Sequence, residues 1–420
     1  MSDRERENHL ASVSIAFRRR IARPRAIAVL LAALAFWRAL PAHADTLVVH
    51  AGDSIQAAID AAPAGSTIVV EPGVYQEPSQ ERALTVTKDG ITLLAQSTSG
   101  APVVLQRAAG QDNGIWVSPS DTVELVPPAD DEHPPCGVSG ARIDGFTVRG
   151  FTVTGFPDFG IYLACVDGFS ITDNTITNTD VYSIFPVHSS GGQILRNIAS
   201  GTTNDACIYT GQDFNILVAF NQASDCLLGF QIENSRGVRL VSNLSTGNTA
   251  GLFVDVIAND QVKVGSDNLV QGNVIIDNNR PNMASPDSDN ASIPPGLGIA
   301  INGSDSTLVQ GNTITDNDFA GVAISNACIG GNIDCSQPLD IDPTPDFNRI
   351  VDNTIARNGA NPSGPFGDLA ADIIYLPDSG DRISRGNCFR NNGSGLTVNP
   401  PGPLPVCAPA VPPRLSRPRR

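Results

Sequence analysis

A right-handed parallel β-helix is the fold class this sequence predicts: an all-β solenoid of 22–24-residue coils with an asparagine ladder and a short N-terminal capping helix. Three observations predict it. Short segments recur at one repeat length, an asparagine follows them at a fixed distance, and apolar residues alternate within them.

The segments GIYLAC from Gly160, SIFPVH from Ser183, CIYTGQ from Cys207, GFQIEN from Gly229, GLFVDV from Gly251, GIAING from Gly298 and GVAISN from Gly321 start 23, 24, 22, 22, 47 and 23 residues apart. Each gap is one coil or about two. Fourteen residues behind five of these starts stand Asn174, Asn197, Asn221, Asn243 and Asn312. The coils from Gly251, Gly321 and Asp372 reach their asparagine late, at Asn273, Asn353 and Asn387, which marks insertions. Asparagine suits a tight inward corner because it tolerates left-handed backbone and its amide donates and accepts at once. Strands of neighbouring coils lie about 4.8 Å apart, so stacked amides form a satisfied buried ladder.

One position after each start come Ile161, Ile184, Ile208, Phe230, Leu252, Ile299, Val322, Ile373 and Leu396, all apolar and predicted to face the core. Three positions after it come Leu163, Pro186, Thr210, Ile232, Val254, Ile301, Ile324, Tyr375 and Val398, mostly apolar, as a period of two demands. Positions two and four then face outward. A leucine-rich repeat has a similar period, but the segments after the first strand, such as GVRLVSNLST and TLVQGNTITDN, are β-branched and carry no amphipathic helix.

Residues 1–44 read as a signal peptide: arginines precede the apolar run Ala26 to Phe36, and Ala42-His43-Ala44 is a small-residue cleavage site. The predicted mature protein is exported, periplasmic or extracellular, with no membrane span after cleavage. Residues 45–83 read as an N-terminal cap and first strands, with a helix around Ser54 to Ala62 capped by Ser54 and ended by Pro63. Such a helix covers core and strand edge that the first coil would expose. Residues 84–400 form the β-helix as one domain, and 401–420 a Pro/Arg-rich tail. All eight cysteines follow the leader, so disulfides are expected; Cys328 with Cys335 and Cys388 with Cys407 close the shortest loops. Other pairings stay open, because eight cysteines allow 105 connectivities.

The chain carries 27 Lys and Arg against 43 Asp and Glu; the leader removes eight Arg and three acids, leaving a charge of about −21. That excludes nucleic acid and anionic membrane as partners by repulsion. No Cys/His spacing suggests zinc, and no phosphate loop, GxSxG elbow or HExxH is present. Nothing calls for an oligomer, and the chain is read as a monomer.

The rhythm breaks between Asp255 and Gly298 and between Ser325 and Asp372, so residues 278–295 and 328–348 are expected to leave the stack as loops, with a third excursion at 127–136. The second, outward position carries Tyr162, Phe185, Tyr209, Gln231 and Phe253 on successive coils. Aromatics are only 5% of the chain, so this column is a candidate platform for sugar rings unless an inserted loop covers it. At the fourth position Glu233 and Asp255 fall in one column, close enough for one to raise the other's proton affinity. The pair suits acid–base work on a glycosidic bond, or a Ca2+ site. His188, Gln212, Asp213 and Asn234 lie near the same strand ends, and Gln212 joins the substrate-binding candidates. Asp340, Asp342 and Asp346 alternate oxygen ligands in a Pro-rich loop and make a second calcium candidate; His133 and His188 stand alone. No metal ligand set is assigned.

The segments Ile208-Tyr209-Thr210-Gly211-Gln212, Ile232-Glu233-Asn234 and Asn248-Thr249-Ala250-Gly251 resemble those of the bacterial exported parallel β-helix repeat proteins, within the pectate-lyase-like superfamily. The resemblance spans roughly residues 85–400 and implies the fold; it brings no catalytic residue. Gly73, Tyr75 and Glu77 are similar to the N-terminal stretch of pectin esterases, and Asn178-Thr179-Asp180 to polygalacturonases. The remaining signatures of both, and the DPHD of alginate epimerases, are absent.

The expected function is to bind, and as an enzyme to process, a polysaccharide along this face by lyase, epimerase or glycoside hydrolase chemistry. The alternative is a non-catalytic periplasmic scaffold or maturation partner that docks another protein there.

Overall fold

The computed structural model describes residues 44–408 apart from 79–80, 97–99, 120–133, 137–139 and 330–332. The leader, His133, most of the 127–136 excursion and the tail beyond 408 lie outside the described residues. Three long parallel sheets of 12, 10 and 11 strands run side by side, each in chain order, so every coil adds one strand to each sheet. The predicted cap helix spans Ile55–Ala61, and the Ser54 side chain accepts from the Ala57 N–H. Ile55 and Ile59 on its inner face are buried against the first coil.

The 11-stranded sheet carries the recurring segments, from Arg82–Val86 through Phe159–Ala164, Tyr182–Val187, Ala206–Gly211, Leu228–Glu233, Ala250–Asp255, Leu297–Asn302, Ala320–Ser325 and Ala371–Leu376 to Val398–Asn399. Ile161, Ile184, Ile208, Phe230, Leu252, Ile299, Val322 and Ile373 are all 0–1% exposed inside the stack. The last coil departs from the sequence reading: Val398 pairs with Ile373, so it takes the place assigned to Leu396, two residues earlier. Pairing steps over the start residue itself, from Leu228↔Ala250 to Phe230↔Leu252. A Cβ on Gly251 would stand 2.6 Å from the Gly298 carbonyl oxygen, and one on Gly298 2.5 Å from that of Gly321. Close approach of the next coil therefore selects glycine at these starts.

The ladder runs Asn174, Asn197, Asn221, Asn243, Asn273, Asn312 and Asn353, each amide donating to the next side-chain oxygen at 3.0 Å. It ends on Asn392 at 2.9 Å, not on Asn387. Asn387 serves another corner, where its oxygen accepts from the Asn348 N–H. The left-handed residue is also not the asparagine but the one before it, as at Asp173 (φ 58°), Arg196 (φ 55°) and Ser242 (φ 55°). That residue turns the chain, and the asparagine then points inward to bond neighbours above and below. A second ladder, unread in the sequence, links Asn248, Asn278, Asn317 and Asn358 and closes on Asp372.

Eight cysteines form four disulfides, Cys136–Cys165, Cys207–Cys226, Cys328–Cys335 and Cys388–Cys407, an arrangement suited to an oxidising compartment. The two local pairs expected from spacing are both present. No helix among the described residues is long and apolar enough to cross a membrane.

Candidate functional site

Register places Tyr162 beside Phe185, Tyr209 beside Gln231, Gln231 beside Phe253, and Glu233 beside Asp255. Trp116 precedes Tyr162 in the same column. Ring centroids follow at 4.0 Å from Trp116 to Tyr162, 5.2 Å to Phe185 and 4.6 Å to Tyr209. Tyr182, one position before its segment start, widens the row, 4.4 Å from Phe185 and 4.7 Å from Tyr209. The column does point away from the stack's core, but it is no flat platform open to solvent. Tyr209 and Gln231 are each 5% exposed, and Tyr162, Phe185 and Phe253 are half-buried. The rings meet edge-on or tilted and cover one another, and residues of the 278–295 excursion pack beside them.

Where the rings end, the column turns acidic. The Tyr209 hydroxyl donates to Glu233 Oε1. Its ring lies over Gly211, where any Cβ would strike it, so the absence of a side chain lets the phenol reach the next coil. Gln231 Nε2 donates to Glu233 Oε2 at 3.1 Å and to both Asp255 oxygens at 3.3 Å, so one amide spans the two carboxyls. Opposite them, Asp205 Oδ2 accepts from the Tyr182 hydroxyl at 2.9 Å and from Asn290 Nδ2 at 2.8 Å. Gln231 Oε1 is buried without a partner.

Both expected excursions wall this floor. Asn290 and Ile293 come from the first and Ile333, Leu339 and Asp340 from the second, and the 256–265 loop, not singled out in the sequence, adds Ile257 and Asn259; together they enclose a cleft of ≈ 700 Å³. An apolar pocket of ≈ 110 Å³ adjoins it, sharing Phe253, Asp255, Ile257, Ile293 and Ile333. Gln212 Oε1 accepts from the Gln261 and Val262 N–H groups at 2.9 and 3.0 Å, and Asn234 bonds the Ile257 N–H and carbonyl. Asn290 and Ser285 bond Asn204 on the stack. Lys263 of the 256–265 loop pairs with Asp340 of the 328–348 excursion, and Cys328–Cys335 closes a short loop in that excursion.

Burial pushes the Glu233 carboxyl well above the usual carboxylate range, and the neighbouring Asp255 charge adds to it. Burial likewise pushes Asp255 up to about 8, with Asp205 and Asp260 contributing. The Tyr182 and Tyr209 hydroxyls rise well above their ordinary value, first by burial, then by the acids beside them. No Lys, Arg or His is among the residues lining the cleft, so no cation offsets these acids there. A floor of this kind keeps protons on its carboxyls to unusually high pH, so that it can donate one to a bound group.

Residues 136–334 match the family model for a right handed beta helix region. The chain folds as a right-handed parallel β-helix. No curated protein sequence matches it. Among solved structures it is similar to the A-modules of the Azotobacter vinelandii mannuronan C-5 epimerases AlgE4 and AlgE6, each with a TM-score of 0.58 and 18% identity. The matches cover 84% of this chain in both cases, with 95% of the AlgE4 module and 94% of the AlgE6 module. At that identity the likeness is one of fold, the parallel β-helix anticipated from the sequence.

On this β-helix the cleft brings together Gln231, Glu233, Phe253 and Asp255, with Tyr209 bonded to its floor, while Tyr162 and Phe185 stand outside along the ring row. Gln212 is corrected: it is 7% exposed and its oxygen is spent on the 256–265 loop, so it tethers a wall instead of meeting a ligand. The calcium loop is also not formed. Asp340 pairs with Lys263, Asp342 bonds Thr344 and Asp346 pairs with Arg385, and no metal-holding group of three acids, histidines or cysteines occurs among the described residues. His188 is buried away from the cleft, its pKa lowered to about 4 by burial and then by Arg142. Asp213 is buried in a corner, accepting from the Ser189 N–H at 2.7 Å, and burial raises its pKa well above the ordinary value.

Trp116, Tyr182, Asp205 and Asn290 escaped the sequence reading. Tyr182 did so because strict alternation assigns it to the core, whereas the strand kinks at each start and turns the preceding residue outward.

Proposed function

We propose that this β-helix is an exported protein that binds an extended polysaccharide along the outer face of the 11-stranded sheet and cleaves it at Glu233 and Asp255. The observation that carries the reading is the pair of raised-pKa carboxyls spanned by one amide, on the floor of a ≈ 700 Å³ cleft, at the end of a row of rings. Glycoside hydrolysis needs a protonated carboxyl at the leaving oxygen and a second carboxylate on the other side of the bond. Lyase and epimerase chemistry removes a proton beside a uronate carboxylate, which calls for positive charge to stabilise the carbanion. The cleft offers acids and no cation, which favours hydrolysis. Epimerase modules of the same fold act on mannuronan, which supports a polymer lying along such a face.

The docking alternative needs a large exposed apolar patch. Of the exposed large hydrophobics among the described residues, Val48, Val74, Phe220, Phe347 and Val406 lie on other sheets, corners and loops, while Val264, Met283 and Ile329 stand on three separate loops around the cleft; this division weighs against a single docking patch.

The test incubates wild type, Glu233→Gln and Asp255→Asn with neutral and charged polysaccharides, following reducing ends and unsaturated uronate ends. Wild type should release reducing ends, with each variant folded and slowed by roughly 100-fold or more. Full activity in both variants, or unsaturated ends from wild type, would overturn the assignment.

A further inference from the structure

Within the polysaccharide reading, on which this inference rests, the polar atoms of the cleft specify a sugar type. The donors on the floor are already spent, and the further amides of the lining, Asn259 and Gln337, belong to the walls. The Tyr209 and Tyr182 hydroxyls donate to Glu233 and Asp205, Gln231 Nε2 donates to Glu233 and Asp255, and Asn290 Nδ2 donates to Asp205. Acceptors remain: the carboxyl oxygens of Glu233 and Asp255, and Gln231 Oε1, which has no partner although Gln231 is only 5% exposed. A buried orphan acceptor costs stability until something donates to it. Three acceptors on one floor match a group with three N–H donors, which is what an ammonium offers.

Charge points the same way. The lining has no Arg, Lys or His, and the nearest lysine of the walls, Lys263, is paired with Asp340. A uronate would bring acceptors and a negative charge into this environment, which is wrong on both counts. A metal cation would need a ligand group that does not occur among the described residues. An organic cation remains, and Tyr182 and Phe253 on the cleft wall present ring surface to a sugar carrying it.

We infer that the cleft selects an amino sugar with a free amine, held as an ammonium between Glu233, Asp255 and the Gln231 carbonyl, so that the substrate class is a cationic, non-acetylated aminoglycan. Acetylation removes the charge and two of the three donors, and places an acetyl where the carboxyls stand.

The experiment is calorimetric titration of the whole secreted chain with four oligosaccharides of equal length: β-linked glucosamine, its N-acetylated form, a neutral glucan and a mannuronate oligomer. Glucosamine should bind at least 10-fold tighter than the other three, and this preference should shrink at high salt. Asp255→Asn and Gln231→Leu should each cut the preference several-fold, with folding checked by thermal melting. Equal binding of the glucosamine, acetylated and neutral oligomers overturns the amine assignment and leaves the polysaccharide reading intact. Preference for mannuronate overturns the charge argument, and no binding of any oligomer overturns both readings.

Discussion

Asn243 and Gln231 are amides buried in the same coils, one inside the stack at 3% exposure and one outside it at 5%. Asn243 is saturated: its oxygen accepts from the Asn221 backbone and side chain, and its amide donates to Val218 and Asn273. Gln231 holds two acids with its nitrogen and leaves its oxygen unpaired. Along the ladder, each side-chain amide is consumed in holding coils together. Outside, the same kind of side chain is left short of a partner among charges that burial disfavours. A ladder that satisfies its own amides so fully does not need the second arrangement to hold the coils, which is the physical reason to look there for a ligand.

Four changes separate the two columns. The largest effect is expected at Asn243→Ala, which orphans the Asn221 N–H and amide and the Val218 carbonyl. The loss should be about 3–5 kcal/mol by urea unfolding; a loss near zero would mean that the ladder does not carry the stack. Second comes the pH dependence of the acid floor. Asp255 has a folded pKa raised to about 8 from an ordinary 3.8, so the folded state binds its proton more tightly than the unfolded chain does. Its contribution to stability is full below about pH 4 and falls as pH rises towards 8. Thermal melts of wild type should therefore decline across that window, and Asp255→Asn should decline less; parallel curves would break the contrast.

Third, Gln212→Ala unties the Gln261 and Val262 N–H groups and should destabilise by about 1–2 kcal/mol. Hydrogen exchange should quicken in residues 256–265 and not in the ladder; exchange that quickens throughout would make the wall part of the stack. The smallest effect belongs to Lys263→Ala. That ion pair is more than a third exposed on both sides, so solvent screens it and its loss should cost under about 1 kcal/mol. Any change in oligosaccharide affinity should exceed the change in melting.

The coil pattern was legible in the sequence because repeats expose their own register. Asn174 to Asn243 at a constant offset also fixed which residues share the outward column, including Glu233 and Asp255. The second ladder was equally present, since Asn248, Asn278, Asn317 and Asn358 each stand five residues after a member of the first. The pattern located two of the insertions around the cleft but not where they fold back. Whether Tyr209 is open or covered depends on where residues 278–295 fold back, and Gln212 became a tether because a loop 49 residues later came to it. Asp205 and Asn290 meet at 2.8 Å across 85 residues, a distance no local pattern encodes. Near the end of the chain two corners both carry asparagine, so spacing alone does not separate Asn387 from the ladder's Asn392.

Leu252 pairs with Ile299 and Phe253 with Ala300 in unbroken register although 47 residues separate the two segment starts. The frame thus does not feel what is inserted between its rungs. Walls of the cleft can be lengthened, trimmed or exchanged by evolution, or by an engineer grafting loops, while floor and core keep their places. Specificity in such a molecule is inherited separately from architecture, so two chains sharing every rung need not share a substrate.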